Sequence, residues 1–211
     1  VLEQWSDEQT FYRWHALHFP NPEKTVRAIR EAGLRLLLWQ IPVLKHDDEH
    51  PHSAVHDSDI AEAIREGFVI RRADGSPYRV NDRWFAGSLL PDFTNPDARA
   101  WWFRKRKYLL DLGVEGFKTD GGEFLFEEAA RLFNGMTGLE AHNLYPGQYI
   151  GAYRDFLRDN GVDGLTFSRA GYAGAQTQPA HWAGDQVSTF SELQSQLRAG
   201  ITAGLSGVLF W

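Results

Sequence analysis

The sequence predicts an α/β fold, an incomplete (β/α)8 barrel in which short parallel strands alternate with helices. Two patterns lead to this prediction: apolar runs of strand length recur along the chain, and segments with helical spacing of apolar residues separate them. A third is that several of these runs end in polar or aromatic residues followed by glycine or proline. Because parallel strands present their carboxyl ends at one face of a barrel, we expect these residues to share that face.

The first half of the chain predicts one helix and one strand before a long insertion. The helix begins at Asn21, whose side chain can cap it, and ends at Gly33. Residues 34–41 form a nearly continuous apolar run that a proline ends, as expected of a strand covered on both faces. We interpret residues 1–211 as one partial barrel domain with a long loop insertion at about 43–97.

The insertion predicts a helix over about 58–66 and a hairpin turn at Asp74 and Gly75. It also contains four histidines beside several aspartates: His46, His50, His52 and His56. Their spacing fits no standard zinc pattern, so no metal site is expected, although ligation by these histidines stays an alternative.

The second half repeats the alternation of helix and strand. The predicted helices and strands are, in order, a helix at 97–112, a strand at 113–123, a helix at 149–160, a strand at 165–169, a strand end at 180–186, a helix at 190–203 and a strand at 204–211. Because both ends of the sequence fall in strand-like segments, we expect a fragment of a longer protein. An open barrel exposes strand edges and apolar faces, so this piece alone is expected to be unstable or associated.

The composition excludes several classes of partner. The 211 residues are 43% hydrophobic and 24% charged, which is typical of a soluble globular domain. A net charge of −6 without basic blocks argues against nucleic acid and anionic membranes. The absence of cysteine excludes disulfides and thiolate metal sites. No apolar run is long enough for a transmembrane helix, and the first residues lack a signal-peptide pattern.

Lys118 and Asp120 lie at the end of the predicted strand 113–123, before two glycines. Residues two apart on a strand point to the same side, so this ammonium and carboxylate are expected to face one cavity. That pairing would keep Asp120 ionised and suited to act as a nucleophile. The alternative is that Asp120 is a turn former or a helix cap.

Other strand ends carry Arg169, Asp185 and two tryptophans, Trp39 and Trp211. Aromatic rings stack on sugar rings and charged groups bind hydroxyls, so this rim favours a carbohydrate. Glycoside cleavage needs one carboxylate as nucleophile or base and one as proton donor. Asp185, in a less cationic patch, is the better proton donor if it is desolvated; the alternative is that it caps the following helix.

Several strings carry a family resemblance: FKTDGGE at 117–123, FSRAGY at 167–172 and HWAGD at 181–185, with DFTNP at 92–96 and GLSG at 204–207. On these motifs, which cover nearly the whole chain, the sequence resembles glycoside hydrolase family 31. The resemblance implies a catalytic TIM barrel and a retaining exo-acting α-glycosidase, most like an α-glucosidase. An α-glucosyltransferase on the same residues, α-xylosidase or α-galactosidase specificity, and a non-catalytic sugar-binding protein are the alternatives.

The resemblance also implies roles for individual residues. Asp120 is the expected nucleophile, and Asp185 is the expected general acid and then general base. The expected substrate-binding residues are Lys118, Arg169, Trp39, Trp182, Trp84 and Asp7. Each tryptophan has the alternative of packing beneath the rim. Asp7 lies in the string EQWSDE, where commoner α-glucosidases have a different acidic motif and a bacterial branch with glucosyltransferase-like members is more similar.

The family mechanism requires no cofactor, because both half-reactions use carboxylates. The expected partner is an α-linked oligosaccharide or glycoside, and homo-oligomerisation of the full-length enzyme is left open. The compartment stays open between a bacterial cytoplasm and secretion. The fragment alone is expected to be inactive, because the resemblance places the first and last barrel strands, a substrate-binding histidine and flanking β-sandwich domains outside it.

Overall fold

The architecture is a curved parallel sheet wrapped by helices, as seen in a computed structural model that describes residues 1–81, 84–178 and 180–211. The strands are β1 Leu37–Gln40, β2 Gly116–Thr119, β3 Leu165–Ser168 and β4 Ala180–His181, paired in parallel in that order. Single parallel bridges add Leu2 beside β1 and Phe210 beside β4. This arrangement confirms the predicted incomplete (β/α)8 barrel.

The helices occupy the connections between these strands. They are α1 Pro22–Glu31, α2 Ala54–Arg65, α3 Pro96–Arg104, α4 Lys107–Leu112, α5 Gly138–Ala141, α6 Tyr145–Asp159 and α7 Phe190–Leu205. Asn21 caps α1 as predicted, since its Oδ1 accepts a hydrogen bond from the backbone N–H of Lys24 at 2.9 Å. Among the described residues, no helix is long and apolar enough to cross a membrane.

Three predicted boundaries are wrong for identifiable reasons. The single helix expected at 97–112 is two helices, because Arg106 lies at the junction with its side chain fully buried. Helix α2 begins at Ala54, earlier than predicted, because Ser53 caps it through the N–H of His56. The strand expected at 204–211 is reduced to the bridge at Phe210, since α7 continues to Leu205.

The hairpin turn predicted at Asp74 and Gly75 is confirmed. The backbone N–H of Arg72 donates to the carbonyl of Ser76 at 2.7 Å, and a bridge joins Arg71 to Pro77. This turn closes the part of the insertion that follows α2.

The sheet divides its side chains between a core and a barrel interior. Leu38 and Phe117, paired in register, are fully buried in the layer between the sheet and the helices. Their neighbours Trp39 and Lys118, also paired in register, point to the opposite face. Aromatic residues of the helices fill the core, namely Trp101, Trp102, Phe103, Tyr149, Tyr153 and Phe156. Trp39 and Lys118, the candidate site residues of β1 and β2, therefore project from the face of the sheet opposite the packed core.

Helix α7 differs from the others because none of its residues is buried. Its large apolar side chains are exposed at helical spacing: Phe190, Leu193, Leu197, Ile201 and Leu205. This is the uncovered apolar face that an open barrel is expected to present.

Candidate active site

A cavity of about 1080 Å³ lies at the carboxyl ends of the strands, where the sequence places the site. Most of the predicted site residues line it: Asp7, Trp39, Trp84, Lys118, Asp120, Arg169 and Asp185. Trp182, also predicted to line the site, is not among the lining residues; its ring centroid lies 4.4 Å from Lys118 Nζ. The insertion contributes to the cavity as well, through Lys45, His46, Trp84 and Phe85.

Asp120 is nearly buried at the base of this cavity, immediately after β2. Its Oδ2 accepts a hydrogen bond from Trp39 Nε1 at 2.7 Å, and its Oδ1 lies 2.9 Å from Arg169 Nη1. The backbone N–H of Gly121 donates to the same Oδ1 at 2.8 Å. Gly121 has a φ of +68°, and a Cβ there would meet Ile41 at 2.5 Å, so the turn that orients the carboxylate requires glycine.

Arg169 follows β3 and is bound by two acidic residues. Its Nε and Nη2 each lie 3.0 Å from an oxygen of Glu123, which forms a bidentate pair, while Nη1 contacts Asp120. Burial works against the charge of Arg169, but the hydrogen bond to Glu123 and the charges of Asp120, Glu123 and Asp185 outweigh it. The pKa of Arg169 is therefore raised above its ordinary value.

The expected pairing of Lys118 with Asp120 is wrong, although both side chains do face one cavity. Lys118 Nζ forms its ion pair with Glu3, and Arg169 is the cation that binds Asp120. The reason is the register, because Glu3 follows the bridge of Leu2 to β1 and lies close enough to reach the Lys118 ammonium.

Asp185 lies in the loop between β4 and α7 and lines the same cavity. The residue is exposed, so the desolvated setting expected for a proton donor is not found. The alternative role as a helix cap is also excluded, because Thr189 caps α7 through the N–H of Glu192. Among the residues that the structure describes, Asp185 has no hydrogen-bond or ion-pair partner, and its charge helps to raise the pKa of Arg169.

The aromatic residues form one wall of the cavity. Trp39 is half-buried and packs edge to face against Phe11, with ring centroids 5.6 Å apart. Trp84 is more exposed, at 48%, and its ring lies 5.2 Å from the guanidinium carbon of Arg169. The structure therefore places Trp39 and Trp84 at the surface of the cavity, and Trp182 beneath Lys118.

Asp7 lines the cavity, but its carboxylate already accepts hydrogen bonds from residues of its own loop. Its Oδ1 accepts hydrogen bonds from the backbone N–H groups of Gln9 and Thr10, at 3.0 and 2.6 Å, and its Oδ2 accepts one from Thr10 Oγ1 at 2.8 Å. These bonds fold the loop that forms the amino-terminal wall.

Several residues of this site have no role predicted from the sequence. Glu123, which binds Arg169, lies in the same string as Asp120, and its acidic side chain three residues after Asp120 was the available signal. The cavity-lining residues without a predicted site role are Glu3, Gln4, Ser6, Glu8, Phe11, His15, His18, Lys45, His46, Phe85 and Ala86. They come from loops without a regular pattern, so nothing in the sequence brings them together.

Three histidines of the insertion pair with carboxylates: His46 with Asp48, His50 with Asp47 and His52 with Asp57. Asp47, nearly buried, binds Lys45 Nζ at 3.0 Å and His50 Nδ1 at 2.9 Å. The hydrogen bond from His50, followed by that from Lys45, holds the pKa of Asp47 well below its ordinary value. Over the described ranges, no group of three or more His, Cys, Asp or Glu residues is placed to hold a metal ion.

Comparison with known proteins identifies the family. Residues 2–211 match the family described as "Glycosyl hydrolases family 31 TIM-barrel domain". The chain is 39% identical to an isomaltosyltransferase of Sporosarcina globispora, a match that covers 100% of the chain and 21% of that protein. It is 36% identical to a 1,3-alpha-isomaltosidase of Kribbella flavida, over 100% of the chain and 32% of that protein.

A solved structure has the same fold. The cycloalternan-degrading enzyme from Trueperella pyogenes, in complex with a covalent intermediate, superimposes with a TM-score of 0.90 at 38% identity, over 99% of this chain and 31% of that one. The chain spans about a fifth to a third of the length of these relatives. On the match over residues 2–211 and the identities above 30%, the chain belongs to glycosyl hydrolase family 31 and corresponds to its TIM-barrel domain.

Proposed function

We propose that this chain carries the catalytic residues of a retaining exo-α-glycoside hydrolase with α-glucosidase-like specificity. The observation that carries the proposal is the setting of Asp120. It is a carboxylate at the base of a strand-end cavity, held by Trp39 at 2.7 Å and Arg169 at 2.9 Å, with an aromatic wall beside it. Such fixed geometry is what a nucleophile needs.

In the first step, a carboxylate oxygen of Asp120 attacks the anomeric carbon while Asp185 donates a proton to the departing glycosidic oxygen. The C–O bond to the leaving group breaks and a glycosyl ester of Asp120 forms. In the second step Asp185 takes a proton from water, which displaces Asp120 from the anomeric carbon. The exposed position of Asp185 suits this role, because the group must exchange protons with an incoming water.

The remaining predicted residues would bind the sugar. Arg169 and Lys118 present cationic donors to its hydroxyls, and Trp39 and Trp84 present apolar ring faces. Asp7 would act through the loop that it folds, since its oxygens are occupied. The partner is accordingly an α-linked oligosaccharide or glycoside. The insertion at about 43–97 would be part of the catalytic domain, because it supplies part of the cavity wall.

The second candidate is transfer of the glycosyl unit to another sugar on the same residues. Two observations favour it: a relative is an isomaltosyltransferase, and the cavity volume of about 1080 Å³ exceeds what one sugar ring requires. α-Xylosidase or α-galactosidase specificity would need only different contacts to the ring substituents.

The test is release of 4-nitrophenol from aryl α-glucoside, α-xyloside and α-galactoside by the complete enzyme, together with the Asp120→Asn variant. Activity on one α-glycoside that is lost in the variant supports the hydrolase, and a glycosyl adduct on Asp120, found by mass spectrometry, supports the ester. New oligosaccharide that outpaces free monosaccharide when acceptor sugar is added identifies the transferase. Full activity of the folded Asp120→Asn variant would contradict both.

A further inference from the structure

Gln40, the last residue of β1, is a buried side chain that contacts several residues of the site. It is fully buried, and its Nε2 donates to the backbone carbonyls of Trp39 and Phe11, at 2.8 and 2.9 Å. Its own backbone carbonyl accepts the N–H of Asp120 at 2.9 Å and the hydroxyl of Tyr149 at 3.2 Å. Gln40 therefore touches the strand of Asp120 and two aromatic residues of the cavity wall.

Arg106 fixes the orientation of the Gln40 amide. Its Nε donates to Gln40 Oε1 at 2.6 Å, and the hydroxyl of Tyr153 donates to the same oxygen at 2.8 Å. With Oε1 bound to two donors, the Nε2 group of the amide must point toward Trp39 and Phe11. If the amide were flipped, its NH2 group would face the donors of Arg106 and Tyr153, and its oxygen would face the carbonyls of Trp39 and Phe11.

Burial of the Arg106 guanidinium is costly, and no carboxylate of the described residues pairs with it to offset that cost. The residue has no exposed surface, its guanidinium carbon lies 3.6 Å from the ring centroid of Trp102, and burial lowers its pKa. Within the described part of the chain it forms no ion pair, and its Nη2 has no hydrogen-bond partner. An unpaired buried charge destabilises a fold, so a purely structural role would be served better by an apolar side chain.

The link from Gln40 to the nucleophile runs through Trp39. Phe11, held by Gln40 at its carbonyl, has a φ of +58°, and its ring packs on Trp39 at 5.6 Å. Trp39 is held at its carbonyl by Gln40 and by Trp5 Nε1, and its indole N–H binds Asp120 at 2.7 Å. Both the backbone and the carboxylate of Asp120 are thus located by groups that Gln40 holds.

We propose that Gln40 and Arg106 are positioning residues for catalysis: Arg106 orients the Gln40 amide, which holds Trp39 and Asp120 in the geometry needed for attack. This proposal rests on the proposed nucleophile role of Asp120. It makes Gln40 and Arg106 residues that act through others, without contact to the substrate.

The test compares Gln40→Glu, Arg106→Lys and a control, Asp92→Asn, in the complete enzyme. Gln40→Glu keeps an oxygen for Arg106 and Tyr153 but places a second oxygen against the carbonyls of Trp39 and Phe11. Arg106→Lys keeps the charge without the planar fork. Asp92 is buried like Gln40 and Arg106, and it lies outside the cavity. Its carboxylate connects two segments of the chain, because it accepts hydrogen bonds from the backbone N–H groups of Thr94 and Phe133.

Two readouts are needed: steady-state kinetics with melting temperature, and crystal structures of the variants. We expect kcat to fall about tenfold or more in Gln40→Glu and Arg106→Lys, with KM within about threefold, while Asp92→Asn lowers only the melting temperature. In the variant crystals the contact between Trp39 Nε1 and Asp120 Oδ2 lengthens beyond hydrogen-bond distance.

The outcomes separate this proposal from the proposed function. Wild-type kcat and an unmoved Asp120 in both variants, with only a lower melting temperature, overturn the positioning role. An inactive wild type with a displaced Asp120 in the variants rejects the glycosidase function but retains the positioning role. If one variant does not fold, the other gives the same two readouts.

Discussion

Arg169 and Asp120 face each other across neighbouring strand ends, with Nη1 2.9 Å from Oδ1. The same guanidinium is held from its other side by both oxygens of Glu123, so it is shared between two carboxylates, Asp120 and Glu123. Its orientation toward Asp120 therefore depends on Glu123, which lies three residues further along the chain.

We expect Glu123→Gln to lower kcat/KM roughly tenfold, which is about 1.4 kcal/mol, because the amide keeps one hydrogen bond but loses the bidentate charge pairing. Steady-state kinetics on the best α-glycoside measures this. The matched control is Glu127→Gln, which weakens a pair with Arg72 at 3.1 Å away from the cavity and should leave kcat/KM unchanged. Equal kinetics for both variants would contradict a role for Glu123 in the site.

The hydrogen bond from Trp39 to Asp120 gives a second prediction. Trp39→Phe keeps the aromatic contact with Phe11 but removes the Nε1 donor to the carboxylate. We expect kcat/KM to fall by about 10- to 100-fold, the usual effect of losing a hydrogen bond to a charged group. Trp101→Phe removes an indole donor to Glu62 away from the cavity and should change stability alone. A Trp39→Phe enzyme with unaltered kinetics would remove this bond from the mechanism.

Lys118 should affect binding more than chemistry, because its ammonium pairs with Glu3 and not with Asp120. We expect Lys118→Met to raise KM about tenfold while kcat stays within about threefold, as for a group that binds ground state and transition state alike. Lys107→Met, which breaks the surface pair with Asp111, is the control. A large loss in kcat with KM unchanged would show that Lys118 acts on the reacting atoms.

The Asp47 cluster predicts how stability depends on pH. The folded protein lowers the pKa of Asp47, first through His50 and then through Lys45, so the ionised carboxylate stabilises the fold above its unfolded pKa. This contribution is lost as the pH falls through the folded pKa. Asp47→Asn should therefore lower the melting temperature at neutral pH, and the difference from wild type should shrink as the pH is lowered below about 4. A difference that is constant from pH 7 to strongly acidic pH would contradict this assignment.

Much of the fold and the location of the site could be predicted from the sequence. Buried strands that end in polar residues leave a direct signal, because the ends of parallel strands meet at one face. That signal predicts a shared face for Asp120, Arg169 and Trp39, and all three line the cavity. The parallel order of the strands followed from the helices between them.

The partners of these residues could not be predicted. Which cation binds Asp120 depends on how far side chains from neighbouring strands reach, and the sequence of one strand does not contain that information. The break at Arg106 has the same origin, since it depends on the contact with Gln40, which is far away in sequence. The exposure of Asp185 depends on how its loop is held, and no local pattern reports it.

The register of β2 limits where residues can be inserted into or deleted from this protein. Lys118 faces the cavity and Phe117 faces the helices. Each is paired in register with a residue of β1 whose side chain points the same way, Trp39 for Lys118 and Leu38 for Phe117. Inserting or deleting one residue between Gly116 and Asp120 would exchange these faces and turn the Asp120 carboxylate into the helix layer. Insertions and deletions can therefore accumulate in the loops that surround the cavity, whereas the spacing within β2 has to remain constant.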